Sequence, residues 1–391
     1  MIEYARKYKG ELLLNVLPFW EKYSIDKEFG GYFTCLERGG SVFDTDKFMW
    51  LQGRQIWTMS TMYDRVESKE EWKSIAEHGA RFILDHGRDA NGDWYFALDR
   101  SGKPLVQPYN IFSDCFATMG LASLYKITNK DEYAQIAVDT FNRIIARQDN
   151  PKGKYSKAYP GTRNLKGFSL PMILSNLSLE LEHLVGTQTV ETLIDEIIHE
   201  VMEVFYQSDS GLIMESVHLD GSFSDTFEGR LVNPGHIIEA MWFMMDLADR
   251  RQDSILMNKC IAIALRALDY GWDEQYGGIL YFKDILNRPP QQLEWDQKLW
   301  WVHLEALVCM AKGYAYTGNE KCKVWFEKLD AYTFTRFSDP TYGEWYGYLN
   351  RQGEPLLTLK GGKWKGCFHV PRALLKVYEA IESVNKQQLI V

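Results

Sequence analysis

The amino-acid sequence predicts an all-α protein, a single (α/α)6 barrel over residues 1–391 with short β-hairpins at one end. Three observations predict this fold. A segment that combines glycine, aromatic residues and a turn recurs along the chain. Each copy is followed by a strongly apolar helix, and an amphipathic helix separates that helix from the next copy. Six such units, each with an inner and an outer helix, close a ring.

The recurring segments predict β-hairpins, because aromatic and β-branched residues alternate before a glycine-containing turn. Clear copies lie at 29–40, 90–105, 210–221, 276–290 and 342–356. Their glycines are spaced by roughly 60–66 residues, except for one gap of about twice that length. The segment 152–163 lies midway in that gap, and we interpret it as a degenerate sixth copy.

Each hairpin is followed by a residue that favours the start of a helix, since Asn and Asp suit the N-cap and Pro suits the first turn. The predicted starts are Asp46, Pro108, Pro171, Asn233 with Pro234, Asp296 and Pro371. The helices that follow are apolar on nearly all sides, which indicates a buried inner ring. Because every hairpin precedes an inner helix, we expect the hairpins and the inner-helix N-termini at the same end of the barrel.

The outer ring is predicted from helices that have one polar face, such as 69–87 and 131–148. Five of them lie between the inner helices, and the N-terminal helix at about 2–22 supplies the sixth. No linker rich in Pro, Ser or Gly divides the chain. We therefore predict that the chain is one barrel, although length alone would suggest two or three domains.

Composition excludes several classes of protein. The formal charge of −9, from 44 basic and 53 acidic residues, gives no basic surface for nucleic acid or an anionic membrane. The six cysteines form no CxxC pair, which indicates reduced thiols in a cytoplasmic protein without disulfides or a zinc site. No apolar run is long enough for a signal peptide or a membrane span. Aromatic residues, at 14%, are the unusual feature.

The common cofactor and nucleophile motifs do not occur. The chain has no GxGxxG after a strand, no GxxxxGK[ST], no HExxH and no GxSxG. The basic, glycine-containing loop 150–168 is a candidate for binding phosphate. Such a loop is more often simply solvated.

Two histidines lie at the starts of predicted inner helices. His236 is in the first turn of NPGHIIE, and Glu239 follows on the same face. His369 lies two residues before Pro371. The positive end of a helix dipole disfavours a protonated imidazole, so we expect two neutral histidines that act as bases near pH 7. The alternative is that each histidine only caps a helix or packs in a wall.

Charged and aromatic residues on the inner helices complete the candidate site. Glu305, on an apolar helix one turn after Trp301, is costly to bury without a partner. Arg54, a cation among aromatic residues on the first inner helix, could supply the opposite charge. A structural ion pair between Arg54 and Glu305 is one alternative. His303 lies on a different face from Glu305 and is left out of the site.

Other residues near the predicted pocket are candidates for binding substrate. Trp364 precedes His369, and an aromatic ring there suits the apolar face of a sugar, although it also suits plain packing. Polar residues near other inner-helix starts could bind hydroxyl groups or act as caps. These residues are Asn110, Asp114 and Asn176.

The sequence resembles the N-acylglucosamine 2-epimerase family. The motifs that carry the likeness, in order and spacing, are WLQGRQIW (50–57), YNIFSD (109–114), NPGHIIEAMWF (233–243), LEWDQKLWWVHLE (293–305) and KGGKWKGCFHVPR (360–372). The resemblance implies the (α/α)6 barrel and interconversion of N-acetyl-D-glucosamine and N-acetyl-D-mannosamine. The same family also includes relatives that epimerise cellobiose or mannose.

Residue by residue, the resemblance implies roles at matching positions. It makes His236 and His369 the catalytic histidines and Arg54 the essential arginine. It assigns Glu239 and Glu305 as the inner-helix glutamates. It makes Trp301 and Trp364 the sugar-stacking tryptophans. The residues that we predict to bind substrate are these two together with Arg372, Asn110, Asp114 and Asn176.

One departure from the family pattern concerns the substrate. Disaccharide epimerases of the family carry a further histidine on the third inner helix, and LPMILSNLSLELE (170–182) has none. This favours the N-acyl-sugar branch. The resemblance also implies a homodimer, and it makes loop 150–168 a candidate site for ATP as an activator that is not consumed.

The expected chemistry is removal and return of the proton at C2 of an open-chain amino sugar, with a base on one face and an acid on the other. Arg54 would stabilise the enediolate, and no metal or redox cofactor is required. The alternatives are a 2-epimerase or aldose–ketose isomerase of non-acylated sugars, an inverting glycosidase that uses Glu239 and Glu305, and a sugar- or protein-binding module without activity.

Overall fold

The computed structural model describes residues 2–388 apart from 158, 160 and 163, and side chains up to residue 386. It forms the expected (α/α)6 barrel. The inner ring consists of α3 (Met49–Arg65), α5 (Ile111–Thr128), α7 (Ser169–Val185), α9 (Pro234–Arg251), α11 (Trp300–Thr317) and α13 (His369–Gln388). The outer ring consists of α1 (Ile2–Glu11) with α2 (Leu17–Tyr23), α4 (Glu70–His86), α6 (Asp131–Ala146), α8 (Thr187–His199), α10 (Ser254–Gly271) and α12 (Glu320–Arg336).

The inner helices are buried along most of their length, as their apolar sequences predict. Neighbouring inner helices α3 and α5 approach closely through glycines. A Cβ atom at Gly53 would stand 2.3 Å from the carbonyl oxygen of Phe116, and one at Gly120 would stand 2.5 Å from the carbonyl oxygen of Gly53. Any larger residue at either position would force the two helices apart.

Short antiparallel strands cover the end of the barrel where the inner helices begin. They are β1 (Lys47–Phe48), β2 (Ala97–Leu98), β3 (Pro104–Val106), β4 (Leu165–Gly167), β5 (Tyr206–Gln207), β6 (Leu212–Ile213), β7 (Ser216–His218), β8 (Leu231–Val232), β9 (Lys283–Asp284), β10 (Lys298–Leu299), β11 (Tyr348–Leu349) and β12 (Pro355–Leu357). The sheets run β1-β2-β3 and β10-β11-β12, with pairs β4-β7, β5-β6 and β8-β9. Within the described residues, four of these five sheets join one unit to the next around the ring, and the pair β5-β6 lies within a single unit.

The prediction of a degenerate sixth hairpin at 152–163 is wrong for the described part of that segment. Residues 152–163 contain a short 3-10 turn, Gly153–Tyr155, and no strand among those described; 158, 160 and 163 lie outside the described residues. The strand β4 follows the segment and pairs with β7 of the next unit. A neighbouring hairpin thus supplies the partner that the sixth copy lacks.

Most helix starts differ from the predicted ones by a few residues. Only Pro234 is the first helical residue, with Asn233 as its cap. In front of α3 and α11 the chain first pairs as β1 and β10, so these helices begin later than Asp46 and Asp296 predict. By contrast, α7 begins two residues before Pro171, and α13 begins at His369 itself. Proline is tolerated there because first-turn N–H groups have no acceptor in the helix.

Three buried ion clusters of the same design fix the hairpins. In each, an aspartate of one hairpin binds a fully buried lysine that follows in the chain and an arginine from the next hairpin around the ring. The lysine–aspartate distances are 2.8–3.0 Å and the arginine–aspartate distances are 2.7–3.0 Å. We call these the hairpin anchors: Asp26 with Lys47 and Arg100, Asp273 with Lys298 and Arg351, and Asp339 with Lys360 and Arg38.

Neutralising one anchor is expected to destabilise the barrel in a pH-dependent way. Burial alone would raise the pKa of Asp273, but hydrogen bonds from Arg351 and Lys298 outweigh it and lower the pKa to about 2. Asp273→Asn leaves Lys298 buried without a counter-charge, which we expect to cost about 3 kcal/mol of unfolding free energy at pH 7.

The pH dependence follows from the lowered pKa of Asp273. The charged carboxylate stabilises the fold above the ordinary aspartate pKa of 3.8, and this effect is lost as the pH falls through the folded-state pKa of about 2. Denaturant unfolding of the wild type and of Asp273→Asn should therefore give a difference that shrinks between pH 5 and about pH 2. A difference that stays constant over that range would contradict the linkage.

All six cysteines are free, buried thiols, as their scattered positions predict. In the part of the chain that is described, no helix combines the length and apolarity needed to cross a membrane.

Candidate active site

His236 lies in the first turn of α9, where the Asn233 side chain accepts a hydrogen bond from its backbone N–H at 3.2 Å. Its ring nitrogen Nδ1 lies 3.0 Å from both carboxylate oxygens of Glu215, a residue that the sequence did not single out. Burial lowers the pKa of His236, but the charge and the hydrogen bond of Glu215 outweigh it, so the pKa is raised above 6.5. The pKa of His236 is therefore shifted in the direction opposite to the one that helix position alone predicts.

His369 is the first residue of α13 and is buried. Its Nδ1 donates a hydrogen bond to Glu305 on α11 at 2.7 Å, and Trp242 donates to the other oxygen of Glu305 at 2.8 Å. Burial, and then the positive charges of Arg54 and Arg372, lower the pKa of His369 well below 6.5. His369 is thus neutral near pH 7, as expected.

Arg372 links the two glutamates of the inner helices. One guanidinium nitrogen, Nη2, lies 2.5 Å from Glu239 and 2.7 Å from Glu305. Among the described residues, Arg372 is the arginine that pairs with Glu305, so the alternative of an ion pair between Arg54 and Glu305 is not observed. The sequence predicted Arg372 as a substrate-binding residue, whereas in the structure its guanidinium contacts these two glutamates.

Arg54 lies over aromatic rings. Its guanidinium carbon is 3.9 Å from the centroid of the Phe116 ring and 4.9 Å from that of Trp50. Among the described residues its side chain makes no hydrogen bond or salt bridge, and its Nε is buried without an acceptor. Burial, with a smaller effect of Arg372, lowers its pKa to about 9, so Arg54 remains charged at pH 7. A buried cation with free N–H groups suits a substrate oxygen that gains negative charge.

Trp301 brings the two histidines into one site. Its ring centroid lies 5.2 Å from that of His236 and 6.0 Å from that of His369. Trp364 is half exposed and meets the Trp50 ring edge-on at 5.3 Å. The predicted cluster of two histidines, an arginine and tryptophans is therefore assembled from α3, α9, α11 and α13, at the hairpin end of the barrel.

The three polar candidates lie elsewhere or have other partners. Asn110 caps α5 by accepting a hydrogen bond from Phe112 N at 2.9 Å, which is the alternative that the sequence left open. Asp114 lies 2.6 Å from Arg147, just past the end of α6, and burial raises the pKa of Asp114 to about 7 despite that pairing.

Asn176 lies away from the histidines. It lines a cavity of about 220 Å³ with Arg65 and Lys126, which stand near the C-terminal ends of α3 and α5, so this cavity is at the other end of the barrel. Asn176 lies about two turns into α7, which begins at Ser169, and its substrate-binding role stays a prediction.

The two glutamates do not fit an inverting glycosidase. Ligand atoms of Glu239, Glu305 and His369 all lie within 4.8 Å of one another. The carboxyl groups of an inverting glycosidase stand about 6.5–9.5 Å apart to admit a water molecule. The same three side chains have the donor types of a metal site, but Arg372 already compensates both carboxylates.

His303, which the sequence left out of the site, is tied to the hairpins. Its Nε2 accepts a hydrogen bond from Ile279 N at 2.9 Å, and its Nδ1 donates to Leu299 O at 2.7 Å. Both ring nitrogens are thus used within the fold.

An acid–base pair beside aromatic rings suits a substrate with a weakly acidic C–H bond and an apolar ring face. A carbohydrate offers both, so the class of protein that this site indicates is a carbohydrate isomerase. Comparison with known proteins agrees. A model of the N-acylglucosamine 2-epimerase (GlcNAc 2-epimerase) family matches residues 31–373. The chain belongs to this family.

Individual relatives support the assignment. The N-acylglucosamine 2-epimerase of Rattus norvegicus is 39% identical over 374 residues, which cover 93% of this chain and 89% of the relative. The cellobiose 2-epimerase of Bacteroides fragilis is 25% identical over 401 residues, with 95% and 98% covered. The solved structure of cellobiose 2-epimerase from Bacillus thermoamylovorans has a TM-score of 0.83 at 21% identity and covers 97% of this chain and 100% of that one. This last likeness concerns the fold.

Proposed function

We propose that the protein reversibly interconverts N-acetyl-D-glucosamine and N-acetyl-D-mannosamine by inverting C2. The observation that carries the proposal is the pair of histidines, with opposite shifts in pKa, whose ring centroids lie 5.2 Å and 6.0 Å from that of Trp301. The identity of 39% to a rat N-acylglucosamine 2-epimerase supports the N-acyl sugar as substrate, against 25% for a cellobiose 2-epimerase.

The proposed mechanism uses the open-chain sugar, in which C2 is next to the aldehyde. Neutral His369 removes the C2 proton from one face, and protonated His236 returns a proton from the other. The charged guanidinium of Arg54 stabilises the negative charge that develops on O1 of the enediolate. Trp301 and Trp364 contact the sugar. Proton transfer by this route needs no metal and no redox cofactor.

Epimerisation in D2O is expected to label C2. With two histidines on opposite faces, the proton that returns comes from solvent rather than from the substrate, so the product carries one deuterium at C2. Mass spectrometry and proton NMR of the product measure the label. Product without solvent deuterium would rule out the two-histidine route.

A panel of sugars decides the substrate. N-acetylglucosamine, glucosamine, mannose and cellobiose are compared at equal concentration, and the products are analysed for both C2 epimers and ketoses. We expect turnover of N-acetylglucosamine well above the others. Preferred turnover of a non-acylated sugar, or formation of a ketose, would instead favour the alternative epimerase or aldose–ketose isomerase.

ATP is proposed as an activator that is not consumed, with loop 150–168 as its site. Of that loop, 158, 160 and 163 lie outside the described residues. A cavity of about 970 Å³ adjoins it and is lined by Lys152 and Lys166, of which Lys166 pairs with Glu200 at 2.7 Å. Assays with and without ATP, repeated on Lys152→Ala, test the proposal. Equal activity in both conditions would contradict it.

We further propose that the barrel is a single catalytic domain, that the protein is a cytoplasmic homodimer, and that it binds neither nucleic acid nor membranes. Six free thiols are compatible with a reducing compartment. Light scattering during size-exclusion chromatography tests the dimer, which should give about twice the mass of 45.5 kDa.

A further inference from the structure

Glu215 is the acidic residue that holds His236. It lies directly before β7, and its backbone is fixed on both sides: the carbonyl oxygen accepts a hydrogen bond from Phe168 N at 3.0 Å, and the N–H donates to Leu231 O at 3.3 Å. The carboxylate is 12% exposed, and the His236 side chain 24%. The acidic partner of His236 is therefore held by the strands of the hairpin end and not by α9 itself.

The contact determines which ring nitrogen carries the proton. A carboxylate only accepts hydrogen bonds, so Nδ1 of His236, which lies 3.0 Å from both oxygens of Glu215, must be the donor. The other nitrogen, Nε2, is left for the substrate. The arrangement has the logic of an acid–base histidine that is oriented by a buried carboxylate.

Glu215 differs from the carboxylate that holds His369. Glu305 also accepts hydrogen bonds from Arg372 and Trp242, which offset its charge. Within the described residues, the Glu215 side chain makes its one hydrogen-bonding and ionic contact with His236. In that part of the chain, no cation competes with His236 for the Glu215 carboxylate.

The groups that face the two histidines differ in sign. His236 is influenced by Glu215 from the hairpins and by Glu239 from its own helix, while α11 contributes the uncharged ring of Trp301. His369 is influenced by Arg54 from α3, by Arg372 from its own helix and by Lys365 from the preceding loop, with Glu239 and Glu305 on the other side.

We propose that Glu215 is a positioning residue that fixes the proton on Nδ1 of His236 and keeps this histidine in its proton-donating form, so that His236 is the acid and His369 the base in the resting enzyme. The proposal rests on the epimerase function above. It adds the group that gives His236 and His369 different protonation states and therefore different roles.

The first test measures ionisation without a substrate. Histidine signals of the folded protein are titrated by NMR in the wild type, in Glu215→Gln and in Glu215→Asp, and the His236 signal is assigned by its loss in His236→Asn. In Glu215→Gln the titration midpoint of His236 should move toward acid by about one pH unit. In Glu215→Asp the midpoint should stay close to the wild-type value, because a carboxylate is retained. An unchanged midpoint in Glu215→Gln would overturn the proposal.

The second test separates exchange from inversion. One of the two epimers presents its C2 hydrogen to His369. In Glu215→Gln this epimer should still exchange that hydrogen in D2O, while its inversion falls by roughly 10²-fold because His236 lacks the proton to deliver. The basic limb of the kcat/KM profile should also move toward acid. If Glu215 only braced the hairpin, exchange and inversion would fall together, which would contradict the proposal.

Asp220→Asn is the matched control. Asp220 lies in the same hairpin and is exposed, and its side chain hydrogen-bonds within the turn to Ser222. It should keep the wild-type midpoint, exchange and inversion. A wild-type enzyme that inverts no N-acyl hexosamine would refute the proposed function, while the NMR titration would still report on Glu215. Wild-type inversion with an unaltered Glu215→Gln profile would refute the inference alone.

Discussion

His369→Asn is expected to lower kcat for epimerisation by about 10⁴-fold, the upper end of what one general acid–base group contributes. Burial and the nearby Arg54 and Arg372 keep the His369 imidazole neutral, and Glu305 orients it from Nδ1. Asparagine can keep a hydrogen bond to Glu305 but cannot take a proton from carbon. The fold should be preserved, because Asn is smaller and polar.

Steady-state kinetics and C2 exchange in D2O measure the effect. The epimer whose C2 hydrogen faces His236 should still exchange in His369→Asn, and the other epimer should not. His86→Asn is a suitable control, because His86 is exposed at the end of the outer helix α4. Turnover of His369→Asn close to that of the wild type would remove His369 from the mechanism.

Arg372→Met is expected to reduce the unfolding free energy by about 5 kcal/mol, the largest stability effect proposed for the site. Arg372 compensates two buried carboxylates through one nitrogen, at 2.5 Å from Glu239 and 2.7 Å from Glu305. Methionine fills much of the same volume but leaves both charges buried without a cation. Repulsion between the carboxylates then adds to the cost of their burial.

A second substitution distinguishes lost charge from lost packing. Denaturant unfolding of Arg372→Met is compared with that of Arg372→Met combined with Glu239→Gln, which removes one of the two charges. We expect the double variant to regain at least about 2 kcal/mol. A double variant no more stable than Arg372→Met would mean that packing, and not charge, determines the effect.

The sequence predicts the barrel well because its signal is local. Apolar residues on all sides identify the inner helices, and a repeating glycine-aromatic turn counts the units. The same repetition places His236 and His369 at equivalent points of two units, which is why both are found at one end of the barrel. Helix starts are less well predicted, since strand pairing with a neighbouring hairpin takes the first residues of some predicted helices.

The partners of the charged residues are not predictable in the same way, because they depend on contacts between distant units. Nothing local distinguishes Arg54 from Arg372 as the partner of Glu305, and the structure selects Arg372. One sequence signal could have identified Glu215: it is the one charged residue in the mostly apolar run GLIMESV. The position of Asn176 within α7 depends on where that helix begins. Pro171 predicts a start two residues later than the observed one at Ser169.

The hairpin anchors also affect how the protein unfolds. In the anchor formed by Asp339 and Lys360, the arginine is Arg38, so the last hairpin is bound to the first. In an open array of repeats, terminal units have one neighbour and fray first. Here the anchor between Arg38 and Asp339, together with the ion pair of Lys7 and Asp330 at 2.8 Å, joins both ends of the chain. With no end unit to fray, the six units should unfold together in a single transition.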